Sequence, residues 1–205
     1  ATKLPITAKT RIGFDNTENI EYLNNFVNKI KSANVKKIIL HARKAILKGL
    51  SPKENLKIPK LNYDMVYQIK KNNPEIDIII NGGVTSVEEI EKHLKYVDGV
   101  MIGRAIYQNP YFLAEIENKI FENFKILTRE EIVEKLIAYV KSEIQKGTRV
   151  NQIMRHTVGL YHGQRGSSKW KRYLSDNMMA RDSDFKKVEY ILNVVQNNEK
   201  LEMAN

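Results

Sequence analysis

The feature that most restricts the fold is a repeated alternation of short apolar or extended runs with longer amphipathic segments over the first 116 residues. Strands that alternate with helices in this way are typical of parallel sheets. The later two runs lack the apolar–polar alternation of a one-sided strand, which indicates strands covered on both faces. The sequence therefore predicts an α/β fold of four consecutive βα units, with strands in residues 6–12, 36–40, 76–80 and 97–102.

Four βα units are too few for a complete (β/α)₈ barrel, which needs about 250 residues. They form either a small open doubly wound sheet or the second half of a barrel. Alone, they would leave two unpaired strand edges and an incomplete core. A strand that begins soon after Ala1, with no initiator Met, is what we expect of a truncated or partly ordered chain.

The strand signal ends near residue 117, and helical patterns follow. Thr128 and Glu131 form a capping box ahead of an apolar stripe that Gly147 terminates. Further helical patterns occupy residues 150–161, 167–178 and 185–195. The sequence thus predicts two domains, an α/β domain over residues 1–116 and an all-α helical bundle over residues 117–205.

Composition excludes several kinds of site. The chain has no cysteine, so it offers no disulfide, thiolate nucleophile or Cys-based metal site. It has no apolar run near the ~18 residues of a membrane span. We therefore expect a soluble protein of the cytoplasm or of an organelle, with neither a metal nor a membrane partner.

The net charge of +10 is concentrated in two windows that lack acidic residues. One lies between Glu21 and Glu54 and the other between Glu143 and Asp176, so each predicted domain carries one. Two basic windows favour a large polyanion such as a nucleic acid. The alternative is a pair of solvated faces that only maintain solubility.

Glycines follow the last two predicted strands. Asn81-Gly82-Gly83 comes directly after the run at 76–80, and Gly103-Arg104 comes directly after the run at 97–102. Glycine lets the backbone approach a phosphate, and arginine can donate two parallel hydrogen bonds to it. A pair of such strand ends matches the phosphate site of barrel enzymes and favours the half-barrel over the open sheet. The alternative is that the glycines only form tight turns.

Basic residues also lie on the first two strands. Lys9 is within the first, and His41 ends the second. Lys9 could stabilise a ring that becomes anionic on reduction, and His41 could donate to a phosphate or ring oxygen. Lone basic residues at strand ends are more often structural. In the helical half, residues 164–173 mix cations with aromatics, which suits RNA, but we assign Trp170 to the core and only the cations to phosphate contact.

Several motifs together resemble the tRNA-dihydrouridine synthases, specifically the A-type, over nearly the whole chain. HARKA and GLSPKEN are highly specific in combination, whereas NGG and GR occur in many flavin barrels. The motifs are KTRIG at 9–13, HARKA at 41–45, GLSPKEN at 49–55, NGG at 81–83, DGVMIGRA at 98–105, NP at 109–110 and WKRYL at 170–174.

This resemblance implies the second half of an FMN-binding TIM (β/α)₈ barrel, followed by a helical tRNA-binding domain. NADPH would reduce the flavin, which would then reduce a D-loop uridine to 5,6-dihydrouridine. The family's general acid is a cysteine in the barrel's first half, so this chain would be an inactive fragment of an enzyme that is monomeric at full length. Two alternatives are a non-catalytic RNA-binding module and a phosphate-binding barrel enzyme with no role on RNA.

The resemblance also assigns residues to roles. The expected FMN contacts are Lys9, His41, Asn81, Gly82, Gly83, Gly103 and Arg104. The expected tRNA contacts are Arg43, Lys44, Lys53, Lys57, Arg155, Lys169, Lys171 and Arg172. The chain departs from its relatives at Leu56, where they usually carry Arg, and at residues 167–171, where Ser-Ser-Lys-Trp-Lys replaces Ala-Arg-Gln-Trp-Arg. Lysine supplies charge without the two-pronged geometry of arginine.

Overall fold

The chain folds into two compact units in a computed structural model that describes residues 4–121 and 125–178. The first unit is Ala1–Gly103 and the second is Arg104–Asn205. The first is an α/β unit, and the described part of the second consists of helices and their connections. None of the described helices is long and apolar enough to cross a lipid bilayer.

The first unit contains a four-stranded parallel sheet in which the strands are paired in chain order. This confirms the predicted α/β fold of consecutive βα units. The strands are β1 (Thr7–Arg11), β2 (Lys37–His41), β3 (Asp77–Asn81) and β4 (Gly99–Met101). The helices are α1 (Ile20–Ser32), α2 (Tyr63–Asn72) and α3 (Val87–Leu94), and a short 3₁₀ turn spans Glu54–Leu56.

The core of this unit lies on one face of the sheet. Ile38 and Leu40 of β2 and Ile78 and Ile80 of β3 are fully buried, in one cluster with apolar residues of α1 and α2. Ile79, which points to the other face, is only half-buried. Within the described residues β3 thus has one fully packed face and one partly buried face, and the prediction that this strand is covered on both faces stays a prediction.

The ends of α3 and of the first long helix of the second unit follow the predicted capping boxes. Ser86 Oγ accepts from the N–H of Glu89, and the Glu89 carboxylate accepts from the N–H of Ser86. Thr128 and Glu131 form the same pair of hydrogen bonds. Each box satisfies N–H groups that the first turn of a helix leaves without partners.

The described helices of the second unit are α4 (Arg104–Gln108), α5 (Phe112–Ile120), α6 (Arg129–Gln145), α7 (Val150–Met154) and α8 (Ser167–Met178). Helix α8 has the predicted bounds, whereas α7 is shorter than the predicted segment 150–161. It ends early because the N–H and hydroxyl of Thr157 both donate to the carbonyl of Met154, which closes a tight turn. The predicted helix at 185–195 lies outside the described residues.

The contact boundary between the units falls earlier than residue 116. Gly159 packs so closely on the last residue of α4 that an added Cβ would lie 2.1 Å from the carbonyl oxygen of Gln108. This contact places α4 with the helices that follow it. The division into a flavin-binding and a tRNA-binding domain at residue 116 stays a prediction.

Trp170 anchors the core of the second unit, as the sequence predicts. Its side chain is fully buried, and its indole Nε1–H donates to the carbonyl of Thr157 at 3.1 Å. The ring centroid lies 5.2 Å from that of Tyr161, and both rings pack in one cluster with Val133 and Val140 of α6. The turn after α7 and helix α8 are thus joined to α6 through one aromatic centre.

Candidate functional site

The first unit brings most of the predicted cofactor residues to the carboxyl ends of its strands. His41 and Asn81, which end β2 and β3, are paired in register, and Arg11 of β1 is paired with His41. Lys9 precedes Arg11 by two residues, so it lies on the same face of the sheet. The Lys9 side chain is exposed, whereas His41 is only 9% exposed.

Gly82 and Gly83 form a turn in which glycine is required at both positions. Their φ angles are 123° and 75°, a region that L-residues rarely adopt. An added Cβ on Gly83 would lie 2.6 Å from Leu61 Cδ1 and 3.0 Å from Tyr63 Oη. One on Gly82 would lie 3.0 Å from Leu61 Cδ2 and 3.2 Å from His41 Cε1. The turn is therefore closely walled by three side chains, and we call it the glycine turn.

The glycine turn presents unbonded backbone donors. The N–H groups of Gly82, Gly83 and Val84 make no hydrogen bond within the described part of the chain, although Gly82 and Val84 are buried. Buried N–H groups are rarely left without an acceptor in folded proteins. A phosphate oxygen would satisfy these donors, so the turn fits the phosphate of a cofactor.

Three further residues expected to bind the cofactor have different surroundings. The Asn81 side-chain amide donates to the Met101 carbonyl at 2.7 Å, so it ties the end of β3 to the end of β4. A Cβ added to Gly103 would meet nothing within 4 Å, which leaves open space beside the end of β4. Arg104 begins α4 in the second unit, and its role as a phosphate ligand stays a prediction.

Arg11, which the sequence analysis did not assign, organises the loop after β2. Its Nη1 donates to the carbonyls of Lys44 at 2.8 Å and Asn55 at 3.0 Å. The Asn55 side chain in turn donates to the carbonyl of Ile46 and accepts from its N–H. Burial, followed by the nearby Arg43 guanidinium, lowers the pKa of Arg11. These bonds give a long polar loop a defined backbone.

The residues expected to bind tRNA from this loop fall into two groups. Arg43 donates through Nη1 to the carbonyls of Lys57 and Pro59, and Lys44 pairs with Glu18 at 3.4 Å. These two cations hold the loop together. The ammonium groups of Lys53 and Lys57 are exposed and pair with no acid among the described residues, which leaves them available to an anion.

The second unit places its expected tRNA contacts at the surface. Lys169 and Lys171 are exposed near the start of α8. Arg172 Nε lies 3.6 Å from the Asp176 carboxylate, so its charge is partly balanced. Arg155 Nε donates to His156 Nε2 at 3.3 Å, and the other ring nitrogen of His156 lies 3.2 Å from Tyr107 Oη.

Sequence analysis missed Tyr63, which contacts the glycine turn. Its hydroxyl donates to the carbonyl of Gly82 at 2.8 Å. No spacing rule connects these residues, since they are separated by 19 positions and lie on different elements. The available local signal was Asn62, whose side chain caps α2 by accepting from the N–H of Met65 and so marks Tyr63 as the first residue of the helix.

No cluster of three or more metal-ligating side chains occurs within residues 4–121 and 125–178. The unbonded N–H groups of the glycine turn point to an anion held by backbone donors. The candidate site is the glycine turn together with His41, Lys9 and the open space beside Gly103.

Comparison with known proteins identifies the family. The family model for dihydrouridine synthase (Dus) matches residues 1–197. The chain is 43% identical over 194 residues to a tRNA-dihydrouridine(20/20a) synthase of Shewanella oneidensis, covering 94% of this chain and 58% of the relative. A protein of the same name from Synechocystis is 44% identical, covering 87% of this chain and 54% of the relative. One from Escherichia coli K12 is 41% identical, covering 94% of this chain and 56% of the relative.

The chain thus spans somewhat more than half the length of these curated relatives. The matches cover both units, from the strands that carry the glycine turn to the basic surface of α8. The chain belongs to the dihydrouridine synthase family.

Proposed function

We propose that this chain is the flavin- and tRNA-binding part of an enzyme that reduces uridine to 5,6-dihydrouridine in the D-loop of tRNA. The observation that carries the proposal is the glycine turn, with its three unbonded N–H groups at the carboxyl end of β3. The names of the curated relatives, at 41–44% identity, support the reaction.

For the architecture, we propose the second half of a TIM barrel followed by a helical bundle. Four parallel strands in chain order, with a fully packed core on one face, are what half a barrel would provide. The half-buried Ile79 and the exposed Lys9 lie on the face that would point into the barrel. Helices α6, α7 and α8 share the core around Trp170, which supports the bundle.

The residues present fit FMN. The N–H groups of the glycine turn would hold its phosphate, with Arg104 as an expected second ligand. FMN would supply the hydride for the uracil ring, with NADPH as the source of electrons. Lys9 would stabilise negative charge on the cofactor ring, and the nearly buried His41 would donate to a cofactor oxygen. The family resemblance implies a cysteine as the proton donor to the uracil, and this chain has no cysteine, so we propose that the donor belongs to another part of the enzyme.

The direct test uses the complete gene product. We expect an intact mass above 23.8 kDa, bound flavin released on denaturation, and dihydrouridine formed from NADPH in tRNA that lacks it. Salt-sensitive tRNA binding without flavin would instead support a non-catalytic RNA-binding module. Tight flavin binding without tRNA affinity would support a different barrel enzyme.

Replacing Lys169 and Lys171 together with alanine should weaken tRNA binding without loss of flavin. Both ammonium groups are exposed and lie in the acid-free window, so they are free to neutralise phosphates. Each lost phosphate contact should reduce the slope of log K against log salt by about one. The measurement is tRNA affinity as a function of salt concentration.

The matched control removes two cations that already have acidic partners. Lys31 pairs with Glu75, and Lys37 lies 3.7 Å from the Asp77 carboxylate. The Lys31→Ala/Lys37→Ala variant therefore loses the same charge but should keep the salt slope. If both double variants give the same slope of log K against log salt, Lys169 and Lys171 do not contact tRNA phosphates and only face solvent.

A further inference from the structure

The carbonyl of Gly82 is held by one side chain, and this fixes the direction of the next backbone donor. Tyr63 Oη donates to that carbonyl at 2.8 Å. The peptide bond between Gly82 and Gly83 is trans, so its C=O and N–H point in opposite directions. With the carbonyl directed at Tyr63, the N–H of Gly83 is directed away from the wall formed by Tyr63 and Leu61.

The glycines need such a restraint because glycine has the largest conformational freedom of any residue. The N–H groups of the turn make no hydrogen bond within the described part of the chain, so they do not fix its conformation. The hydrogen bond from Tyr63 is thus the polar contact that sets the orientation of the Gly82–Gly83 peptide plane.

Tyr63 is itself held in place from two sides. The N–H of the preceding Asn62 donates to the Ala42 carbonyl at 2.7 Å, which ties the start of α2 to the end of β2. The Tyr63 ring packs edge-on against His93 of α3 at a centroid distance of 4.5 Å. His93 is 3% exposed, and its Nδ1 lies 2.7 Å from Tyr67 Oη. The hydroxyl of Tyr63 therefore projects from a rigid support.

Protonation favours the same arrangement. Burial raises the pKa of the Tyr63 hydroxyl, and the Glu89 carboxylate raises it further, so the hydroxyl keeps its proton and stays a donor. Burial lowers the pKa of His93, which keeps the imidazole neutral near pH 7. A neutral ring adds no charge beside Tyr63.

We propose that Tyr63 is a positioning residue that fixes the Gly82–Gly83 peptide plane, so that the Gly83 N–H is oriented in advance toward the phosphate of the bound cofactor. This inference rests on the proposed function. It assigns the contribution of Tyr63 to the phosphate end of the cofactor, and not to the ring. Preorganised donors bind more tightly because the ligand need not order them.

The test compares FMN with riboflavin, which lacks the phosphate, in the complete gene product and its Tyr63→Phe variant. Phenylalanine keeps the ring against His93 but removes the hydroxyl. We expect the Kd for FMN to rise about three- to tenfold, as for the loss of one net hydrogen bond. The Kd for riboflavin, measured by the same quenching of flavin fluorescence, should not change.

Tyr96→Phe is the matched control, because it removes the hydroxyl of a half-exposed tyrosine in the same unit, whose ring stacks on Tyr67 and which has no part in holding Tyr63 or the glycine turn. It should leave the Kd for FMN unchanged. An unchanged FMN affinity in Tyr63→Phe, or an equal loss for FMN and riboflavin, would overturn the inference.

A different result, the absence of any flavin binding by the native protein, would contradict the proposed function without deciding the role of Tyr63. Inorganic phosphate then becomes the probe, and the Gly83 amide signal is followed by nuclear magnetic resonance. A phosphate-induced shift that Tyr63→Phe weakens supports the positioning role, whereas no shift, or an equal one in both proteins, overturns it.

Discussion

Replacing Gly83 with alanine is expected to weaken FMN binding by between about ten- and a hundredfold, because the glycine turn must change shape to accept a Cβ. Alanine at a φ of 75° has the strain of the left-handed region, about 1–2 kcal/mol. Its Cβ would also lie 2.6 Å from Leu61 Cδ1 and 3.0 Å from Tyr63 Oη, so both must move. Moving the hydroxyl breaks the hydrogen bond that orients the turn. Fluorescence titration of the complete gene product measures the change.

Two variants separate backbone strain from collision. Gly49 has a φ of 88° but open space where its Cβ would lie, so Gly49→Ala adds strain alone in the same unit and should keep FMN affinity. Leu61→Ala removes the atom that lies closest to the new Cβ, so adding it to Gly83→Ala should recover part of the loss. If Gly83→Ala binds FMN as tightly as the native protein does, the turn does not hold the phosphate.

The parts of the fold that the sequence predicts well are those fixed by neighbours in the chain. Ser86 with Glu89, and Thr128 with Glu131, cap their helices through residues three positions apart, so the pattern is visible in the sequence. The strand runs are likewise local, and β3 differs from its predicted bounds by one residue at each end. Helix α7 is the exception, since the turn at Thr157 ends it inside a continuous helical pattern.

The candidate site is less visible because its contacts span long distances along the chain. The glycines and His41 could be identified as candidate cofactor residues from their residue type and their position at the ends of predicted strands. Tyr63 could not, since only the folded sheet brings the start of α2 to the end of β3. Arg43 shows that the partner of a charged side chain is also hard to predict from the sequence. A basic residue in a basic window suggests RNA, and only the fold shows that Arg43 Nη1 donates to the carbonyls of its own loop; a contact with tRNA stays a prediction.

Replacing Trp170 with alanine is expected to lower the free energy of unfolding of the second unit by about 3–5 kcal/mol, the usual cost of truncating a buried aromatic residue. The indole is fully buried and packs with Tyr161, Val133 and Met154. Truncation also leaves the Thr157 carbonyl without the donor at 3.1 Å. Denaturation in urea, followed by circular dichroism, measures the loss without relying on the fluorescence of this single tryptophan.

Two further variants test whether that loss of stability comes from the buried ring and its hydrogen bond. Trp170→Phe keeps an aromatic ring but removes the Nε1–H, so it should cost less than alanine does. The Thr157 carbonyl still accepts from the N–H of Leu160 at 2.9 Å, so the lost indole hydrogen bond should account for only about 0.5–1.5 kcal/mol. Tyr139→Ala removes a ring of α6 that is 54% exposed and should change stability little. A loss below about 1 kcal/mol in Trp170→Ala would contradict a core centred on this residue. A large loss, with tRNA affinity falling in parallel, would show that Lys169 and Lys171 depend on the Trp170 core to hold α8 in place.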